Sequence, residues 1–187
     1  MRLRNRVRPA GWFAALFLAG SVALASAATA PSPAAAERVR VDWTNPGDFA
    51  EAKENPGFGI GRQTPEEWLP ELAKHLQTRA DRVLPAGERL AVTFTNVKRA
   101  GTYEPWRGPQ WDDVRIVKDI YPPRISLHFT LTSANGATLS EGDRSLRDPA
   151  FLSRGLLYAQ DDPLRFEKRL LDDWLRREFP DVRDARS

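Results

Sequence analysis

Pro122-Pro123-Arg124-Ile125-Ser126-Leu127-His128-Phe129-Thr130-Leu131 alternates without a fault once past its two prolines. Apolar residues at every second position put Ile125, Leu127, Phe129 and Leu131 on one face of a strand and Ser126, His128 and Thr130 on the other. Asn135-Gly136 follows, the dipeptide that best suits a two-residue hairpin turn because both residues accept positive φ. Ala137, Leu139 and Glu141 then start a return strand, which such a turn pairs antiparallel. Upstream, Val114 and Ile116 mark a short strand, and Leu90, Val92 and Phe94 alternate with Ala91, Thr93 and Thr95 in another. Val39, Val41 and Trp43 alternate with charges in a first strand that Asn45-Pro46-Gly47 breaks. Residues 48–63 show no stable period and read as a loop with one helical turn.

Two helices complete the pattern. Thr64-Pro65-Glu66-Glu67 has a hydroxyl at the cap, proline at the first helical position and a carboxylate at the third, and predicts a helix to about Val83. Trp68, Leu72, Leu76, Ala80 and Val83 give it one apolar stripe. Pro70 conflicts with that reading, because an interior proline removes a backbone bond and clashes with the preceding turn, so the helix either kinks there or becomes regular there. A last helix, capped by Asp161 or Asp162 with Pro163 at its first position, runs to about Phe179, where Pro180 stops it. Strand, helix, several strands and helix do not alternate strictly. The expected fold is α+β, a two-layer sandwich with a mainly antiparallel sheet and two long helices on one face.

The chain has 187 residues, enough for one domain, with 28% charged and 41% hydrophobic residues and no cysteine. Lack of thiols excludes disulfides, thiolate metal sites and a cysteine nucleophile. Arg2, Arg4, Arg6 and Arg8 precede an apolar run from Trp12 to Ala25 and a small-residue step at Ala25-Ser26-Ala27, the three parts of a secretory signal peptide. A cut after Ala27 is preferred to one after Ala30, which would leave Pro31 beside the scissile bond. The apolar run is about 14 residues, short of the roughly 20 that a spanning helix needs. Without residues 1–27 the formal charge falls from +3 to 24 basic against 25 acidic residues, a net of −1. A phosphate-neutralising surplus is then absent, which argues against a nucleic-acid partner. The expected layout is a signal peptide (1–27), a disordered Ala/Pro/Ser leader (28–36), one α+β domain (37–180) and a flexible tail (181–187). No window after residue 27 suits a membrane span, so the mature chain is expected to be soluble and periplasmic.

Several separated segments bring a family into view. Val97-Lys98-Arg99-Ala100-Gly101, then Glu104-Pro105-Trp106, then residues 114–125, then Leu146-Arg147-Asp148, and finally Asp162-Pro163-Leu164-Arg165-Phe166-Glu167-Lys168 with Leu171-Asp172-Asp173-Trp174 resemble the domain of unknown function 3016 family of exported bacterial proteins. The likeness spans about residues 38–179. It implies export and a single domain, and transfers no activity, substrate or catalytic residue.

Candidate chemistry is sparse. His75 and His128 show no metal-ligand spacing and read as partly exposed structural histidines. No nucleophile elbow, phosphate loop or dinucleotide glycine pattern occurs, and no cofactor or metal is expected. The carboxylate pairs Asp112-Asp113, Asp161-Asp162 and Asp172-Asp173 read as caps and solvated surface. Glu167 projects onto the sheet-facing side of the last helix, where a carboxylate needs a partner; Arg124 and Arg144 are the candidates for a docking ion pair. Residues 101–121 hold Tyr103, Trp106, Trp111 and Tyr121 among Gly and Pro. These rings form either a binding surface or a cover for an open sheet edge. The leading expectation is a non-enzymatic binding or accessory module of the cell envelope, its partner an envelope protein, peptide or glycan. The alternative is an envelope hydrolase using Glu167, Asp119 or His128 as acid or base.

Overall fold

The computed structural model describes residues 37–55, 63–154 and 158–180. The expected signal peptide, leader and tail lie outside the described residues. In chain order the elements are β1 (Val39–Trp43), α1 (Ala50–Glu54), α2 (Pro65–Val83), β2 (Arg89–Lys98), β3 (Thr102–Tyr103), β4 (Arg115–Ile116), β5 (Arg124–Thr132), β6 (Thr138–Arg147) and α3 (Arg165–Glu178). The fold is α+β around a mixed four-stranded sheet of order β1-β2-β5-β6, with β3 and β4 forming a separate two-stranded sheet.

Alternation in the sequence becomes alternation in burial. Ile125, Leu127, Phe129 and Leu131 are buried on β5, and Leu90, Val92 and Phe94 on β2, where they sit opposite one another in antiparallel register. These side chains form one apolar cluster with Trp68, Leu72 and Leu76 of α2 and Leu170, Leu171 and Trp174 of α3. β1 pairs with β2 in parallel, which the strand patterns did not reveal. A parallel pair needs a long crossover rather than a tight turn, and α2 supplies it.

Three local readings change. The β5–β6 turn is longer than two residues: Gly136 N–H donates to the Ser133 carbonyl, and Ser133 N–H to the Ala137 carbonyl. Gly136, at φ +85°, takes the left-handed position that closes a three-residue loop. α2 runs unbroken through Pro70, because the carbonyl its ring displaces belongs to Glu66, exposed in the first turn where water can satisfy it. α3 begins at Arg165 rather than Pro163. The Asp162 carboxylate accepts the Leu164 N–H at 2.8 Å, so it caps the turn that leads into the helix.

One irregularity positions everything that follows. The register shifts between Phe94 and Asn96 on β2, and this bulge brings both Phe94 and Val97, three residues apart, to buried positions. Beyond it Lys98, Arg99 and Ala100 are all buried, so the strand delivers two cations into the interior. Among the described residues no helix is long and apolar enough to cross a membrane.

Candidate functional site

Residues 101–121 leave the sheet and return to their starting point. Gly101 N–H donates to the Tyr121 carbonyl at 2.9 Å, and Thr102–Tyr103 pairs antiparallel with Arg115–Ile116. Gly101 sits at φ +82°, and a Cβ there would lie 2.7 Å from the Ile116 carbonyl oxygen; this crossing admits only glycine. The excursion is pinned from within by Glu104, which is buried. Its carboxylate accepts from Lys118 Nζ at 2.6 and 2.9 Å and from the Tyr121 hydroxyl at 3.0 Å, and it pairs with Arg107 Nε at 2.6 Å. The Lys118 hydrogen bond holds the Glu104 carboxyl below its ordinary value.

With the polar groups turned inward to Glu104, large apolar groups are left outside. Trp106 is 71% exposed and Ile120 66%, with Val114 and Trp111 also exposed. The two tyrosines behave differently. Tyr121 spends its hydroxyl on Glu104, and Tyr103 is half-buried under the Arg115 guanidinium, 5.0 Å from its ring. The four expected ring residues thus split into two exposed tryptophans and two anchored tyrosines. Ile120 and Val114 were missed, since nothing in their spacing marks them as outward-facing.

Beneath the excursion lies a cluster of buried charge. Glu51 of α1 accepts the Arg99 N–H at 3.0 Å, pairs with Lys98 Nζ and Arg99 Nε at 3.5 Å each, and takes a close hydrogen bond from Arg115. Burial alone would push the Glu51 carboxyl up, but Arg115, Lys98 and Arg99 outweigh it and hold it below its ordinary value. Arg115 Nη1 also donates to the Ala100 and Gly101 carbonyls at 3.2 Å each. Arg99 reaches Gln63 at 2.8 Å and lies 5.1 Å over the Trp68 ring.

Glu167 reaches this cluster from α3. It is fully buried; Oε1 accepts the Ala100 N–H at 2.6 Å, while Oε2 has no hydrogen-bond partner. The expected partners are engaged elsewhere: Arg124 pairs with Glu54 at 2.8 Å and Arg144 with Glu178. Burial pushes the Glu167 carboxyl up, against the opposing Ala100 hydrogen bond and the Arg99 and Arg115 charges. With Oε2 unpartnered and burial working against the charge, a neutral amide in the same shape is expected to be tolerated. Glu167→Gln should leave the urea midpoint nearly unchanged, whereas Glu167→Leu, which strands the buried Ala100 N–H, should lose about 1–3 kcal/mol. A large loss in the Gln variant would show that the ionised form holds the helix.

Arg99, Ala100, Arg115, Val117, Pro163 and Arg165 are among the residues that line a cleft of about 410 Å³ at this point. Three of the segments that carried the family resemblance meet there, one from the end of β2, one from β4 and one from the start of α3. The family model described as "Protein of unknown function (DUF3016)" matches residues 37–177. The chain belongs to the DUF3016 family. No curated protein matches it in sequence.

A second polar cluster in this DUF3016 chain joins α2 to α3. Asp172 accepts from Arg79 Nε at 3.2 Å and from the Tyr158 hydroxyl, and lies 3.0 Å from His75 Nε2. Burial would raise the Asp172 carboxyl, yet the His75 and Tyr158 hydrogen bonds keep it low. Asp173 is also buried, paired with Arg154 and Arg176. The reading of Asp172 and Asp173 as solvated surface is corrected: both are internal ion-pair acceptors. The groups weighed as acid or base do not converge. His128 pairs with Asp143 at 3.0 Å, Asp119 caps the Ile120 N–H at 2.9 Å, and Glu167 serves Ala100. Among the described residues no group of three His, Cys, Asp or Glu is placed to hold a metal ion.

Proposed function

We propose that this DUF3016 chain is an exported, non-catalytic binding module of the cell envelope. Residues 37–180 act as one domain and residues 1–27 as a cleaved export signal. Both long helices lie on one face of the sheet as a second layer, a placement supported by the single apolar cluster that α2, α3 and alternate sheet residues share.

One observation carries the binding role. Trp106 and Ile120 are largely exposed on an excursion whose base is fixed by Gly101, Glu104 and the Gly101–Tyr121 hydrogen bond. Apolar groups held outward by an ordered scaffold are pre-organised for contact and lose little freedom on binding. Aliphatic Ile120 and Val114, exposed on the same excursion as the rings, favour a protein surface over a sugar, which stacks on rings and leaves aliphatic groups unsatisfied. The partner is an envelope protein with an apolar patch.

A photo-crosslinking amino acid in place of Trp106, used in living cells, tests this. Protein adducts from the envelope fraction are the expected result, with adducts from a probe at residue 120 lost when Trp106 and Trp111 are both changed to Ala. That double variant should unfold within about 0.5 kcal/mol of the parent, as substitutions at exposed positions do. Adducts to glycan alone would reassign the partner class, and no adduct at either site would remove the binding role.

A further inference from the structure

We propose that the cleft between the base of the 101–121 excursion and the start of α3 binds a small molecule through an oxyanion, a carboxylate or a phosphate, held by Arg99, Arg115 and Arg165. The inference is independent of what Trp106 and Trp111 contact, since it concerns a different set of side chains.

Charge supplies the first argument. Three guanidiniums line the cleft, and Asp113 is the single carboxylate on its described lining. Behind the wall, Glu51 is shared by Lys98, Arg99 and Arg115, three cations on one carboxylate. Lys98 has a further partner in Glu54 at 3.6 Å, which Arg124 also uses. Glu167 offsets part of the Arg99 charge, while burial works against its own charged form. Burial and the neighbouring Arg115 charge both work against the charged form of Arg99, so these guanidiniums repel one another. An anion between them relieves that repulsion.

Geometry supplies the second. Arg165 lies 4.4 Å over the Phe166 ring and donates Nη1 to the Asp162 carbonyl at 3.0 Å, a posture that fixes the guanidinium plane. Among the described residues no carboxylate pairs with Arg165, so its guanidinium can offer a ligand the N–H groups that the Asp162 carbonyl does not take. A planar fork of this kind pairs two parallel N–H groups with carboxylate or phosphate oxygens. Arg115 is fixed by two carbonyls and Glu51, and Arg99 by Gln63. Val117, Pro163, Phe166 and the Tyr103 ring add apolar surface to the lining, beside Gln63 and Asp113. A volume of about 410 Å³ falls in the range of small-molecule sites, and guanidiniums stacked on the Tyr103 and Phe166 rings suit a compact acid with an apolar or cyclic body.

The test is calorimetric titration of the purified protein at low ionic strength with inorganic phosphate, with benzoate and with neutral benzyl alcohol. Saturable binding of at least one anion and none of the alcohol is expected. Phosphate alone would place the ligand among phosphate esters, and benzoate alone among carboxylic acids. Arg165→Gln, which removes no buried ion pair, should weaken that binding at least about tenfold with the unfolding midpoint unchanged. If that variant fails to fold, Arg165→Lys keeps the charge without the fork and should weaken binding to a lesser degree. The proposal is overturned if neither anion binds, or if binding is the same in the parent and in the folded Arg165 variant.

Discussion

Glu51→Gln is expected to lower the unfolding free energy by about 3–5 kcal/mol, the usual loss when one partner of a buried ionic group is removed and the others stay. The substitution keeps the side-chain shape and an acceptor for the Arg99 N–H. It leaves Lys98 and Arg99, each 4% exposed, together with Arg115, without the charge that holds them. The pH dependence separates this cause from simple packing. Because the folded-state Glu51 carboxyl lies below its unfolded value of about 4.3, its contribution is complete above that value. It is lost as pH falls through the folded value. Glu167 has the opposite sign: its raised carboxyl favours the fold most below about 4.3, and that advantage fades as pH rises toward the folded value. Urea titrations at pH 7 and near pH 3 should therefore show the gap between parent and Glu51→Gln narrowing in acid. An equal gap at both would mean that the carboxylate charge is not what the cations rely on.

That cluster also marks where sequence reading stops. The alternation of Ile125 to Leu131 and the Thr64-Pro65-Glu66-Glu67 helix start are local signals, and both elements are present, with Glu67 accepting the Thr64 N–H at 2.9 Å. The bulge on β2 is readable in retrospect, since Phe94 and Val97 cannot both point inward along an unbroken strand. α3 is a different case. Every residue from Phe166 to Leu175 is buried, charged ones included, so burial there extends well beyond the apolar stripe of Phe166, Leu170, Leu171 and Trp174. Projection placed Glu167 on a buried side but could not supply its partner, a backbone N–H 67 residues away at Ala100. His75 and Asp172 are 97 residues apart and give no joint signal. The cleft likewise draws on segments far apart in the chain, and only folding brings their arginines to one wall.

Trp174→Ala is expected to be the most damaging change on α3, with a loss of about 3–5 kcal/mol, as for large aromatic deletions in a closed core. Trp174 is 1% exposed and stands edge-on to Phe129 of β5 at 5.7 Å and to Phe179 at 5.9 Å, an arrangement that suits the ring quadrupoles. Its indole N–H donates to Glu178 at 3.2 Å, and Glu178 in turn takes two hydrogen bonds from Arg144 of β6, whose guanidinium lies 4.9 Å over Phe129. The helix is thus fastened by a ring cluster closed with an ion pair, at the opposite end from Glu167. Trp174→Phe keeps most of the apolar volume and gives up the N–H, so it should lose substantially less. Arg144→Leu should also lose less than Trp174→Ala, because the Arg144 side chain is partly open to water and its pair with Glu178 is screened. The order matters more than any single value. If Arg144→Leu proved as damaging as Trp174→Ala by urea midpoint, helix docking would be ionic in origin and the ring cluster secondary. With the ring change dominant, α3 is held by burial, and Arg165 at its first turn is free to be shaped by the cleft it lines.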